Sequence, residues 1–303
     1  MLIRALEEFA MKIIKLMPAV MAMLAALTII TAPVASAVKT PSIGFSRDSF
    51  CGTVTNNAWT LQYERNGTPQ NVYSNVFGNV NQPSPTVCLS DVASHGSGFT
   101  ISSSDVAKGY GAYPNIGQGN EWGVRPAGTW LPVKADDDGM PVASVTTDSL
   151  SVSGVFNSAF DIWFNKTDDP TVGQNNGAEV MIWLDCHDNC IGYHPVTIDG
   201  IRWLWTWHVS RNHHTGTTWN YMAFTAAHHR DSVSRLWLNP FIRYAEAQGK
   251  VSPSWYLTGV DYGFELVSGG SGLKISNYSL TEISQSNTSG GRRGLGDGLG
   301  TGR

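Results

Sequence analysis

Three carboxylates of this chain stand inside alternating apolar runs rather than in turns, and they are its best candidates for chemistry. Glu179 opens Glu179-Val180-Met181-Ile182-Trp183-Leu184, Asp161 lies within Ala159-Phe160-Asp161-Ile162-Trp163-Phe164, and Glu265 sits between Phe264 and Leu266 in Asp261-Tyr262-Gly263-Phe264-Glu265-Leu266-Val267. At the two-residue period of a strand, Glu179, Met181 and Trp183 share one face while Val180, Ile182 and Leu184 share the other. Asp161 with Trp163 repeats the mixture, against Phe160, Ile162 and Phe164 on the opposite face. A single outward carboxylate on a solvated antiparallel sheet is ordinary surface charge. Three that share faces with indoles and a thioether are less ordinary. Sugar rings stack their C–H faces on aromatics, and cleavage of a glycosidic bond needs two carboxyl groups in different protonation states, so such a face suits a polysaccharide cleft.

The elements that must hold these side chains read almost wholly as strands and turns. Ser149-Leu150-Ser151-Val152-Ser153-Gly154-Val155-Phe156 and Ile201-Arg202-Trp203-Leu204-Trp205-Thr206-Trp207 also alternate. Between the runs lie turn clusters such as Asp136-Asp137-Asp138-Gly139, Asp168-Asp169-Pro170 and Gln174-Asn175-Asn176-Gly177. The first of these lacks the ligand spacing of a calcium loop and reads as a solvated turn. One stretch breaks the period: Asn239-Pro240 opens an eight-residue run to Gln248, with Pro240 placed as at a first helical position and Gly249 as at a C-terminal cap. The pattern predicts an all-β fold, a jelly-roll sandwich of two antiparallel sheets with a concave cleft and one short helix.

Composition narrows the partners. Of 303 residues only 15% are charged, with 20 Lys+Arg against 24 Asp+Glu, which leaves no basic footprint for nucleic acid. Eleven Trp and 42% hydrophobic residues exclude a disordered chain, and 32 Gly with 14 Pro suit many short strands. Residues 1–37 read as a secretory signal: a basic Met11-Lys12-Ile13-Ile14-Lys15, an apolar run to Ile30, and a small-residue site at Ala35-Ser36-Ala37. Met11 is an alternative start, since Glu7 and Glu8 make an odd beginning to a signal. The apolar run is short for a bilayer span, so export without membrane retention is expected. Residues 38–285 form the single folded domain, and the Gly-rich segment 286–303 reads as a flexible tail.

Export gives the cysteines a meaning. Cys51, Cys88, Cys186 and Cys190 are an even set in an oxidising compartment, and the local pairing of Cys186 with Cys190 and of Cys51 with Cys88 is favoured. Zinc at Cys186, Cys190 and His194 is the rival reading, with a spacing less usual for such sites. His213-His214 and His228-His229 are adjacent pairs whose rings point to opposite faces of a strand, as rim or surface histidines.

The two glutamate blocks resemble the catalytic motifs of glycoside hydrolase family 12, the small secreted endoglucanases. They are Glu179-Val180-Met181-Ile182-Trp183-Leu184 and Gly263-Phe264-Glu265-Leu266-Val267-Ser268-Gly269-Gly270-Ser271-Gly272-Leu273. The Asp161 segment, Asn56-Asn57-Ala58-Trp59, Ile191-Gly192-Tyr193-His194-Pro195-Val196 and Ser254-Trp255-Tyr256-Leu257-Thr258 are also similar to family segments, in the same order from about Cys51 to Leu280. The resemblance implies that Glu179 is the nucleophile and Glu265 the general acid and base. It also implies retention of anomeric configuration, with the two carboxyls about 5–5.5 Å apart. Asp161 would sit against Glu179, orient it and help keep the proton on Glu265. Trp59 would stack a glucose ring on the non-reducing side, Asn57 would contact a hydroxyl, Met181 and Trp183 would line the floor, and Pro195 would belong to the loop crossing the cleft.

The implied protein is a secreted, monomeric endo-β-1,4-glucanase acting on cellulose, mixed-linkage glucan or xyloglucan, with no cofactor and no metal. The sequence departs from the family pattern at the Cys186–Cys190 insert and at Trp203 to His214, where alternating Trp permit two registers and no assignment is made. A xylan-directed hydrolase of the same architecture and a non-catalytic sugar-binding jelly roll are the other readings.

Overall fold

The computed structural model describes residues 48–63, 67–92, 97–120, 128–137, 139–168, 176–212 and 216–282. Residues 1–37, read above as a secretory signal, the tail 286–303, Asp138, His213, His214 and residues 169–175 lie outside them. Within the described residues the period-two pattern becomes two stacked sheets. The smaller has the order β1 (Phe50–Thr53), β4 (Thr86–Ser90), β5 (Phe99–Ser104), β16 (Lys274–Thr281), β8 (Val142–Asp148) and β14 (Ser232–Trp237). The larger runs β11 (His194–Ile198), β12 (Ile201–Arg211), β13 (Thr218–Ala226), β10 (Ala178–His187), β9 (Gly154–Asn165), β15 (Tyr256–Gly269), β6 (Asn115–Gly119), β3 (Pro69–Tyr73) and β2 (Trp59–Tyr63), with β7 (Val133–Lys134) also pairing β15. This is the expected all-β jelly-roll sandwich.

Two expectations need correction. The sheets are not wholly antiparallel, because β10 pairs β13 in parallel from Ala178 with Asn220 to Trp183 with Thr225. A parallel pair needs a long connection, and here the β11–β12 ribbon supplies it. The alternation from Ser149 to Phe156 is also not one strand: β9 begins only at Gly154, and Val152 N–H closes a turn on the Ser149 carbonyl. Leu150 is 74% exposed, so its place in the alternating pattern is coincidental.

The core lies between the sheets. Phe160, Ile162 and Phe164 of β9, Val180, Ile182 and Leu184 of β10 and Tyr262, Phe264 and Leu266 of β15 are all buried in it. The single helix of the described residues, α1 (Asn239–Ala247), presses Phe241 edge-on to Trp203 and Phe224 at centroid distances of 5.0 and 5.3 Å. It therefore fixes the backs of β12 and β13. Gly249 ends the helix at φ +66°, a conformation that costs glycine nothing. Disulfides join Cys51 to Cys88 across β1 and β4, and Cys186 to Cys190 after β10. The second bond occupies both sulfurs that a zinc ion would have used. Among the described residues no helix is long and apolar enough to cross a membrane.

Candidate active site

Register decides which outward side chains of the larger sheet meet. One row across the strands holds His208, Tyr221, Glu179, Trp163 and Gly259. The next holds Thr206, Ala223, Met181, Asp161 and Asp261. The third holds Trp183, Ala159 and Gly263 and continues through Asn115 and Tyr73 to Trp59 at the far edge. Glu265 stands beyond that row, opposite Asn157. The two glutamates thus flank a band two rows wide that runs across the strands, from Trp59 on β2 to β12.

This outward face is a recess. Met181 and Trp183 are 1% exposed, Trp163 3%, Asp161 5% and Glu179 8%, although none of them faces the smaller sheet. Laid flat, the six-residue offset along β9 between the two glutamate rows, Trp163 to Asn157, would hold them about 20 Å apart. Yet the charge of Glu265 reaches Glu179 and Tyr221. The face must therefore curve, bringing the two rows toward each other as opposite walls of a cleft.

Each wall holds its carboxyl with a nitrogen donor. Trp219 Nε1–H donates to Glu179 Oε2 at 2.6 Å, and Asn157 Nδ2–H donates to Glu265 Oε2 at 2.7 Å. Burial pushes Glu179 up to about 8; the Trp219 bond works against that rise, and the nearby Glu265 charge adds to it. Burial likewise lifts Glu265 to about 7 against the Asn157 bond. Two raised carboxyls that sense each other hold one proton between them near neutrality, as acid–nucleophile chemistry requires. Asp161 stands diagonal to Glu179, in register with Met181 on one side and Asp261 on the other.

The floor between the walls is pinned. Trp183 Nε1–H and Tyr221 O–H both donate to the Met181 thioether, at 3.4 and 3.3 Å. At the β2 end, Asn57 gives its amide to the Val76 backbone in both directions, each bond at 2.6 Å, and also accepts from Ser74 Oγ. That side chain ties down the segment leading into Trp59. Pro195 is exposed on β11 opposite Leu204, at the other end of the cleft face. The Cys186–Cys190 loop forms a rim: His187 Nδ1 meets the Gly154 carbonyl, and Asn189 donates to the Tyr110 hydroxyl at 3.4 Å. Burial, and then the charge of Glu265, raise the Tyr110 phenol, which places this rim beside the Glu265 wall.

A family model, glycosyl hydrolase family 12, matches residues 71–282, more than half of the chain and both glutamate walls. The chain belongs to glycosyl hydrolase family 12. Its fold overlays family 12 structures: the Rhodothermus marinus endoglucanase Cel12A at 30% identity and TM-score 0.65, with 78% of this chain and 99% of that one covered. A metagenome-derived family 12 endoglucanase follows at 29% identity and TM-score 0.64, covering 78% and 97%. Endoglucanase S of Pectobacterium parmentieri is 26% identical over 178 residues, 56% of this chain and 65% of that enzyme. The match therefore spans just under two thirds of that curated relative.

Within this family 12 chain, the residues that the sequence singled out assemble as one face, but their partners were not legible. Trp219 and Asn157 lie on neighbouring strands, far from the glutamates in sequence, and only register reveals them. Asp261, buried opposite Asp161, was visible as an alternating acidic residue, and Gly117 leaves it room: a Cβ there would lie 1.7 Å from Asp261 Oδ1. Tyr73, in line between Trp59 and Asn115, is a further aromatic on the face. The register of β12 is now settled: Trp203 and Trp205 pack toward the core and α1, and Trp207 is 45% exposed with Lys250 Nζ over its ring.

Proposed function

We propose that this protein is a secreted, endo-acting glycosidase that cleaves β-1,4-glucosidic bonds of cellulose or related β-glucans with retention of configuration. The observation that carries the reading is the pair of raised glutamates on opposite walls of a recess lined with Trp183, Met181, Tyr221 and Trp59. A neutral glucan laid across the strands passes between the two carboxyls and offers ring faces to the aromatics.

In this reading Glu179, as carboxylate, attacks the anomeric carbon while Glu265 gives its proton to the departing glycosidic oxygen. The C1–O bond breaks and a glycosyl ester forms on Glu179. Glu265, now a carboxylate, takes a proton from water; the water oxygen bonds C1, and Glu179 leaves with its charge restored. A glycosidic oxygen beside Glu265 gives the shared proton an acceptor there, and the Trp219 N–H stabilises the charge left on Glu179. Asp161 positions the nucleophile from its diagonal site. Trp59 is a stacking platform on the non-reducing side, Met181 and Trp183 form the floor, and Pro195 lines the far rim. Asn57 holds the Trp59 segment, with one amide hydrogen left for a sugar hydroxyl. Residues 1–37 direct export, residues 38–285 are the catalytic domain, and the enzyme works as a monomer without cofactor or metal.

The test is to incubate the purified protein with carboxymethyl-cellulose, barley glucan, xyloglucan and xylan and to follow the first anomers by NMR. First-formed β-anomers from a glucan are expected. First-formed α-anomers contradict retention, xylan-only cleavage contradicts the substrate class, and binding without turnover leaves a sugar-binding jelly roll.

A further inference from the structure

The row that carries Glu179 does not stop at the nucleophile. On β13 the next outward residue is Tyr221, and beyond it on β12 is His208. The imidazole lies flat on the Tyr221 ring, with centroids 4.5 Å apart and planes 26° from parallel. Tyr221 is itself immobilised: it is 8% exposed, and its hydroxyl donates to Met181 Sδ. His208 is thus stacked on a fixed platform with its edge toward solvent, and its ring nitrogens have no hydrogen-bond partner among the described residues. No packing need explains a histidine here, since Thr206 and Ser210, the outward residues on either side of it along β12, are small. Partial burial lowers its basicity, so the ring is neutral where the carboxyl pair works and can both donate and accept.

We infer that His208, seated on Tyr221, is a sugar-binding residue on the leaving-group side of the cleft, hydrogen-bonding a glucose unit beyond the scissile bond. This rests on the glucanase reading above, in which Trp59 marks the non-reducing side. His208 stands past Glu179 at the opposite end of the band, where the sugar chain must leave. The imidazole edge then recognises hydroxyls of the departing oligosaccharide, and Tyr221 carries the position of Met181 and the cleft floor to that sugar.

The experiment compares two substrates in His208→Ala. Cellopentaose places sugars past the scissile bond, whereas 4-nitrophenyl β-cellobioside, cleaved at its aryl bond, places none. The ratio of kcat/KM on cellopentaose to that on the aryl glycoside is expected to fall about tenfold, and His208→Gln to recover most of it, as for loss and restoration of a hydrogen bond. A ratio that stays within about twofold of the parent, or a loss shared by both substrates, overturns the assignment. A parent that cleaves neither substrate overturns the glucanase reading itself, and this inference with it.

Discussion

The strands β9, β10 and β15 have two faces of nearly equal burial and opposite content. Toward the smaller sheet they present Phe160, Ile162, Phe164, Val180, Ile182, Phe264 and Leu266, each 0% exposed. Toward the cleft the same strands present Asp161, Trp163, Glu179, Met181, Trp183 and Asp261, each 8% exposed or less. Depth therefore does not distinguish core from site in this molecule. Chemistry at equal depth does: the first face is complete in itself, whereas the second keeps carboxyls out of water at a standing cost to the fold. A chain that retains such a face is using it.

Exchanging one side chain on each face is the sharpest way to break this comparison. Glu179→Gln is expected to lower kcat on soluble β-glucan by about 10⁴-fold or more while leaving the folded spectrum intact. Phe160→Ala, on the facing side of the neighbouring strand, should cost about 3–5 kcal/mol in urea unfolding and spare kcat per folded molecule. Equal behaviour of the two variants in both assays would erase the distinction between the faces.

A finer test changes only a donor. Trp219→Phe removes the N–H that holds Glu179 and opposes its rise, so the Glu179 proton should bind still more tightly. The acid limb of the kcat/KM profile should move up in pH, and kcat should fall about 10- to 100-fold. A lower rate with an unmoved limb would make Trp219 a packing residue only.

The smallest effect is on stability. Folding raises Glu179 from an ordinary carboxyl value of 4.5 to about 8, so the folded state binds this proton more tightly than the unfolded chain. Between those values the folded state carries more protons, and stability must fall as pH rises. Parent protein should thus melt lower at pH 8 than at pH 5, and Glu179→Gln should flatten the difference, with a gain on the order of 5 °C at the upper pH. A parallel pH profile for parent and variant would contradict the raised carboxyl.

The division into faces could be read from alternation alone, because strand period forces every second side chain to the same side. Glu179, Asp161 and Glu265 were found in this way, whereas both disulfides were read from the number and spacing of the cysteines, and the helix at Asn239 from its break in the period. Register was beyond reach, because it depends on which strands neighbour one another. Asn157 against Glu265, Trp219 against Glu179 and the parallel β10–β13 pair all turn on that neighbour relation. The misread run at Ser149 has the opposite cause: a local alternating pattern satisfied by an exposed leucine in a turn.

In both sheets the described strand furthest along the chain sits in the middle. β15 lies between β9 and β6, and β16 lies between β8 and β5, so within each sheet the earlier strands form two halves with no ladder between them until β15 and β16 are in place. The same insertion delivers Glu265. A nascent chain that has not yet reached β15 therefore lacks both a joined fold and one of its two carboxyl walls. The joining of the larger sheet and the placing of Glu265 opposite Asn157 thus depend on one and the same strand.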